Sequence, residues 1–310
     1  MTQAPTTASA IERELQIAAP PETVWRYFTE PERMVQWMGR SAEAQAMPGG
    51  DLRVDYNGFD RMRGTFLELV PHSRIVFSWG WETLGDQTPP GASRVEVTLT
   101  PHAGGTKLRL VHSGLEAHEA ESHAQGWGLF LPFLAGAAES GAAAQPPREP
   151  LTASEELASK LNAPLCELRY LLEGIDERSW SLRCPGTGWT VGGNAAHAVG
   201  HLALAHFAAQ TARGERGQLA GFTADGLNAF NESMRPENEA AERSAVLSRL
   251  KSEGQDAVEA VKAIPPETLG RGQQMAFAGG AELSAAAILQ GPLLTDITAH
   301  IADIRAALAV

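Results

Sequence analysis

At 310 residues, 43% hydrophobic and 20% charged, the chain has the composition of a folded globular protein and is long for one core, so two domains are expected. A formal net charge of −12 argues against a nucleic-acid surface and against attraction to anionic lipid, although a small anionic substrate stays compatible with a locally positive site. Two cysteines, Cys166 and Cys184, make no disulfide framework; no signal-peptide pattern and no bilayer-length apolar run is present, so a cytoplasmic location with reduced thiols and no membrane partner is expected.

The Thr/Ala-rich start, residues 1–10, reads as frayed. Residues 11–19 alternate as a half-buried strand, and two short helices follow, the first with Val24, Trp25 and Phe28 as its apolar positions. Alternating segments at 51–56, 61–70, 74–81, 93–100 and 106–112, separated by Pro/Gly turns, predict a run of hairpin strands with Val95, Val97 and Leu99 inward. A helix over 117–138 carries Trp127, Phe130, Leu131 and Phe133, with Pro132 expected to kink or break it. Trp79, Trp81 and Trp127 read as core, and His112, His118 and His123 as surface or incidental residues.

Several of these segments carry a resemblance. The stretch 14–25, the Pro-Gly-Gly turn at 48–50, the run 64–71, Ile75–Trp79 and Gly104–Leu108 are similar to the START/birch-allergen helix-grip superfamily (SRPBCC), in its branch named after activators of the Hsp ATPase. The resemblance covers about 11–138. It implies a curved antiparallel sheet covered by a long C-terminal helix, with a cavity for a small-molecule or hydrophobic ligand between them. The small, polar, proline-rich segment 139–150 reads as a linker.

From Leu151 the pattern turns helical. Thr152 offers a cap, Leu157, Leu161, Leu165, Leu168 and Leu171-Leu172 form a stripe with Pro164 inside it, a second helix runs from near Thr190 to about Arg213, a third from Glu239 to Ile264, and a fourth from Pro292 to about Ala309. Four helices with one long connection at 214–238 predict a four-helix bundle over 151–310. His197 lies on the second helix, and Asp296 and His300 lie one turn apart on the fourth. If those faces meet, the three residues surround one divalent ion, and the mixed nitrogen and oxygen set suits a transition metal, zinc first with nickel or iron as alternatives. His201 shares the face of His197 and is a candidate replacement. Asp303 is a candidate to orient His300 or to bind the ion weakly.

Arg183-Cys-Pro-Gly-Thr-Gly-Trp-Thr-Val, with His197 eight positions after Trp189, resembles the N-terminal domain of mycothiol-dependent maleylpyruvate isomerases, within the DinB superfamily. The resemblance implies metal ligands at His197, Asp296 and His300 and makes Cys184 part of a loop motif. Thr187-Gly188 interrupts the usual run, and Gly192-Gly193 weakens the helix start. The expected function is a metal-dependent transferase or isomerase using a low-molecular-weight thiol, or a hydrolase, acting on a small molecule and fused to a hydrophobic-ligand-binding domain. The alternative is a non-catalytic stress-response or ligand- and protein-binding protein. No nucleic-acid partner is expected, and a homodimer is plausible for a bundle of this type.

Overall fold

A computed structural model describes residues 10–85 and 87–309, so most of the stretch read as frayed lies outside it. The chain divides into two compact units, Met1–Glu149 and Pro150–Val310.

The first unit runs β1 (Ile11–Ile17), α1 (Pro21–Thr29), α2 (Pro31–Met34), β2 (Ser41–Ala44), β3 (Asp51–Asp55), β4 (Arg61–Val70), β5 (Arg74–Trp79), β6 (Trp81–Glu82), β7 (Ser93–His102), β8 (Gly105–Ser113) and α3 (Ala120–Ser140). The described strands form an eight-stranded sheet in the order β1-β8-β7-β5-β4-β3-β2, with β6 paired to β4. Every pairing is antiparallel, as hairpin connections allow. Period-two burial decides which side chains face inward: Val95, Val97 and Leu99 on β7, and Thr106, Leu108, Leu110 and His112 on β8. The helix α3 buries His123, Trp127, Leu131, Leu134 and Ala137, a stripe at three- and four-residue spacing that joins the sheet core. Pro132 removes one backbone donor, yet the helix continues through it to Ser140.

Two buried hydrogen bonds tie the first short helix to the long one and to the turn after the second. Tyr27 Oη donates to the Ala137 carbonyl at 2.6 Å, and Trp37 Nε1 donates to the Tyr27 carbonyl at 2.9 Å. The segment read as a linker is docked on this unit. Ala144 N donates to the Gln36 carbonyl at 3.0 Å, Gln145 Nε2 to the Gly39 carbonyl at 2.8 Å, and Arg148 reaches the Tyr56 carbonyl. Small residues let the backbone come close, and two long polar side chains find carbonyls, so low hydrophobicity here does not leave the chain free.

The second unit contains α4 (Ala153–Glu173), α5 (Glu177–Trp180), α6 (Val191–Gly200), α7 (Ala203–Arg213), α8 (Ala224–Glu239), α9 (Arg243–Lys262), the short strands β9 (Gly272–Gln274) and β10 (Glu282–Ser284), α10 (Ala285–Ile288) and α11 (Leu294–Leu308). Thr152 and Glu155 form a reciprocal capping box at the start of α4, and Pro164 sits inside that helix without ending it. The helix α4 packs against α9 and α11, α7 packs against α9, and α6 packs against α8, α9 and α11. Three departures from the sequence pattern bear on function. The second helix breaks after Gly200 at His201-Leu202. The long connection contains a further helix, α8, with no buried residue. Pro292 lies within a π-helical turn, Leu289–Leu293, that joins α10 to α11 instead of starting a helix. Such turns recur at functional sites because one extra residue re-aims the helix that follows. No helix among the described residues is long and apolar enough to cross a membrane.

Tyr27→Phe deletes the donor to the Ala137 carbonyl while keeping the ring. It is expected to lower stability by about 1–2 kcal/mol, read as an earlier midpoint in urea unfolding with an unchanged slope.

Candidate metal centre and ligand cavity

The loop before α6 is built by its own backbone. Cys184 N donates to the Trp189 carbonyl at 2.8 Å, Gly188 N donates to the Cys184 carbonyl at 2.9 Å, and Gly188 takes φ 71°, a conformation that favours glycine. The Thr187-Gly188 insertion is therefore a closed turn. Thr190 then caps α6, its hydroxyl accepting from Gly193 N at 2.9 Å. The Gly192-Gly193 pair has a steric cause. A Cβ on Gly192 would lie 2.4 Å from the Trp180 ring, and one on Gly193 would lie 2.8 Å from Glu239 Cγ.

His197 and His201 are one turn apart on the end of α6, and His300 faces them from α11. Ring centroids are 4.4 Å apart for His197 and His201, 5.0 Å for His197 and His300, and 5.5 Å for His201 and His300. One ring nitrogen from each of the three falls within 4.8 Å of the other two. Asp296 stands at the edge of this group. Its Oδ2 is 3.6 Å from His201 Nδ1, too long for a hydrogen bond, and its side chain is 47% exposed. His201 Nδ1 is buried and has no hydrogen-bond partner.

Burial sets the electrostatics. It pushes the His201 imidazole down to about 3, helped by His197 and His300, and pushes His300 down to about 4, helped by His197 and opposed by Asp303. His197 is lowered by burial against a smaller opposing effect of Glu232, and burial raises the Asp296 carboxyl. The three imidazoles are thus neutral at pH 7, the form that ligates a metal. Trp189 packs on His197 with centroids 4.8 Å apart, and the Arg235 guanidinium lies 5.4 Å from the Trp189 ring centre. Asp303 holds the loop. Its carboxylate accepts from Gly186 N at 2.6 Å, Thr187 N at 2.9 Å and Asn194 Nδ2 at 3.3 Å. Burial opposes its charge, but the Gly186 and Thr187 donors prevail and keep the carboxyl below its ordinary value. Cys184 is a buried free thiol pushed up by burial, so it stays protonated near neutrality.

In the first unit, a cavity of about 520 Å³ is lined by Tyr56, Trp79, Trp81, His123, Trp127 and Phe130, among others. His112 and His123, read from sequence as surface or incidental, are buried. His112 is the fourth inward residue of an alternating strand and His123 heads the apolar stripe of α3. Those periodicities were the available signal. His118 is largely exposed.

The geometry thus defines a helix-grip unit with an aromatic cavity and a helical unit with a half-buried histidine cluster. Residues 18–139 match the family model of the Activator of Hsp90 ATPase homolog 1-like protein, and residues 161–305 match that of the Mycothiol maleylpyruvate isomerase N-terminal domain. The chain therefore carries the two domain types in tandem. Among solved structures, an AHSA1-like protein from Rhizobium etli is 40% identical, with 45% of this chain and 88% of that one covered and a TM-score of 0.38. DynU16, a putative protein in the dynemicin biosynthetic locus, is 27% identical with a TM-score of 0.40; the match covers 45% of this chain and spans only 50% of that one. The Aha1 of Colwellia psychrerythraea, solved as a dimer, is 20% identical over 43% of this chain and 98% of that one, with a TM-score of 0.38. No curated protein matches the chain.

The unfolded chain protonates its histidines near 6.5, whereas folded His201 and His300 resist protonation until about 3 and 4. Unfolding takes up protons in that window, so metal-free protein is expected to lose stability as pH falls from 6.5 towards 4. Denaturation at pH 7.5 and pH 5.0 measures the slope. His201→Gln should flatten it, and an unchanged slope would count against this account.

Proposed function

We propose that the helical unit is a metal-dependent catalytic module acting on a small electrophile by thiol transfer, thiol-assisted isomerisation or hydrolysis, and that the helix-grip unit binds a hydrophobic small molecule. The observation that carries the first part is the convergence of His197, His201 and His300, all neutral, with a buried and partnerless nitrogen on His201. Three imidazoles suit a divalent transition ion, zinc first. A bound ion would supply Lewis acidity, which makes a nucleophile of water or a thiol at neutral pH.

The chain's own residues do the rest. His197 and His201 present their nitrogens from one helix face and His300 from the facing helix. Asp296, at the edge, stands ready as a carboxylate donor in place of His201. Trp189 walls one side of the centre and keeps water off His197. Asp303, holding the 186–187 backbone, fixes the loop at the mouth without contacting the ion.

Protein prepared without chelator is expected to hold one equivalent of transition metal per chain, and His197→Ala and His300→Ala each to abolish it. His201→Ala should match them, while Asp296→Ala weakens binding about 10- to 100-fold, measured by competition with a chromophoric chelator. If Asp296→Ala abolishes binding and His201→Ala does not, the carboxylate completes the set in place of the third imidazole. Metal-free protein indifferent to added zinc in a thermal melt would remove the reading altogether, since at a hundredfold excess over Kd a ligand adds about 2.7 kcal/mol.

A further inference from the structure

The helix α8 packs on α6, which carries His197, and on the short turn Ala276–Ala278. None of its 16 residues is buried. Leu227, Asn231, Met234 and Asn238 are partly buried and follow helical spacing, but two of the four are amides, so the face that meets the unit gains little from leaving water. Intrinsic preference is weak as well, because Gly226, Asn228, Asn231, Ser233, Pro236 and Asn238 all disfavour a helix interior. Phe222 and Phe230 meet edge to face with centroids 6.2 Å apart and stay 37% and 52% exposed. A segment with few buried apolar groups opens at a free energy well below that of the whole fold.

The polar ties of α8 gather at its C-terminal end. Glu239 Oε1 accepts from Arg183 Nη1 at 2.6 Å, from Thr190 N at 3.3 Å and from Arg235 Nε at 3.3 Å. Trp180 Nε1 donates to the Ala241 carbonyl, just beyond the helix, at 3.2 Å. These bonds fix the end of α8 to α5 and to the loop before α6. Arg235 reaches the same loop from one turn earlier. Its Nη2 donates to the Gly188 carbonyl at 3.0 Å, and its guanidinium lies over the Trp189 ring, which packs on His197. Glu232 lies 3.7 Å from Arg235, and its charge is felt at His197. Next in the chain is Pro236, which has no N–H, so the Glu232 carbonyl lacks its donor four residues on. The helix is thus weakest where its fixed end begins.

We propose that α8 is a hinged cover of the histidine cluster, opening at the Glu232–Pro236 turn with Glu239 and Ala241 fixed, and that the Arg235 side chain, seated on Gly188 and Trp189, is the latch that holds it closed. The cover controls how solutes reach His197. The proposal rests on reading the cluster as the functional centre and adds the element that admits its substrate; it does not depend on which ion the cluster holds. In the closed state Trp189 is pressed on His197. Releasing Arg235 frees the indole as well as the helix, so loop and cover let go together.

The test uses the metal-free full chain and two readouts. Hydrogen exchange followed by mass spectrometry should show the amides of 226–235 exchanging at least about tenfold faster than those of α9 and α11. Diethyl pyrocarbonate, which modifies neutral imidazoles, should label His197 at a rate set by the opening, with the exposed His118 and His206 as references. Arg235→Ala removes the latch and should speed both the exchange of α8 and the labelling of His197 by about tenfold. Pro236→Ala, at an exposed position, restores the missing donor and should slow both by about tenfold. The rates at His118 and His206 should stay as they are in the wild type. Amides of α8 that exchange as slowly as those of α9 overturn the hinge. Labelling of His197 that fails to follow the exchange of α8 in either variant overturns the cover and leaves the metal reading standing. A chain that gives these rates but ignores added zinc keeps its cover and loses its metal. Should Arg235→Ala not fold, wild-type exchange and Pro236→Ala decide the matter.

Discussion

The helical unit depends on keeping three imidazoles uncharged where α6 and α11 meet. A protonated histidine there would face two others within about one ring diameter in a place with little water, and repulsion and desolvation act in the same direction. The fold removes water from rings that would otherwise titrate near neutrality. What it gains is a set of nitrogen lone pairs available at physiological pH. An all-carbon core at the same place would cost less, so the arrangement makes sense as preparation for a cation.

The surrounding sequence follows from that demand. His201 caps the C-terminal end of α6 one turn after His197, and α7 begins two residues later. The π-helical turn at Leu289–Leu293 re-aims the last helix before Asp296 and His300 are placed. Gly192 and Gly193 weaken helix propensity locally but admit the Trp180 ring and the end of α8, so packing outweighs propensity at the start of the helix. Asp303 has a further task beside its electrostatic effect on His300. Three residues past His300 it could reach the imidazole, but three N–H donors from the loop and Asn194 claim its oxygens.

How much of this was legible in the sequence varies with the type of signal. Strand alternation in 93–112 and the apolar stripe of the first bundle helix were plain, because burial on one face imposes its period directly. The meeting of His197 with His300 was readable only as a condition, since i,i+4 spacing fixes a face and not what it faces. His201 was visible as a neighbour on that face, but its approach to His300 depends on how α6 and α11 pack, which spacing does not fix. The docked segment 144–148 was hidden because its contacts are backbone and polar, and α8 because a helix that buries nothing leaves no stripe. The inward place of His112 was carried by strand alternation after Thr106, Leu108 and Leu110 and not by its spacing from other histidines, which are scattered and show no partner pattern.

The two units set histidines at similar separations, with rings 5.2 Å apart for His112 and His123 and 5.0 Å apart for His197 and His300. Distance alone would make both pairs metal candidates. The difference lies in which lone pairs are free. In the helix-grip unit one indole caps each imidazole's acceptor and an oxygen takes each N–H, so no nitrogen remains for an ion, and the unmet group is a tryptophan donor. In the histidine cluster of the helical unit one imidazole nitrogen is unmet, with two more rings close by. Clustered neutral imidazoles are the form that ligates a cation, which is the ground of the metal proposal for the helical unit alone. The same residue type is therefore saturated with hydrogen bonds in one unit and left with a bare nitrogen in the other, and the neighbours' hydrogen-bonding capacity decides which.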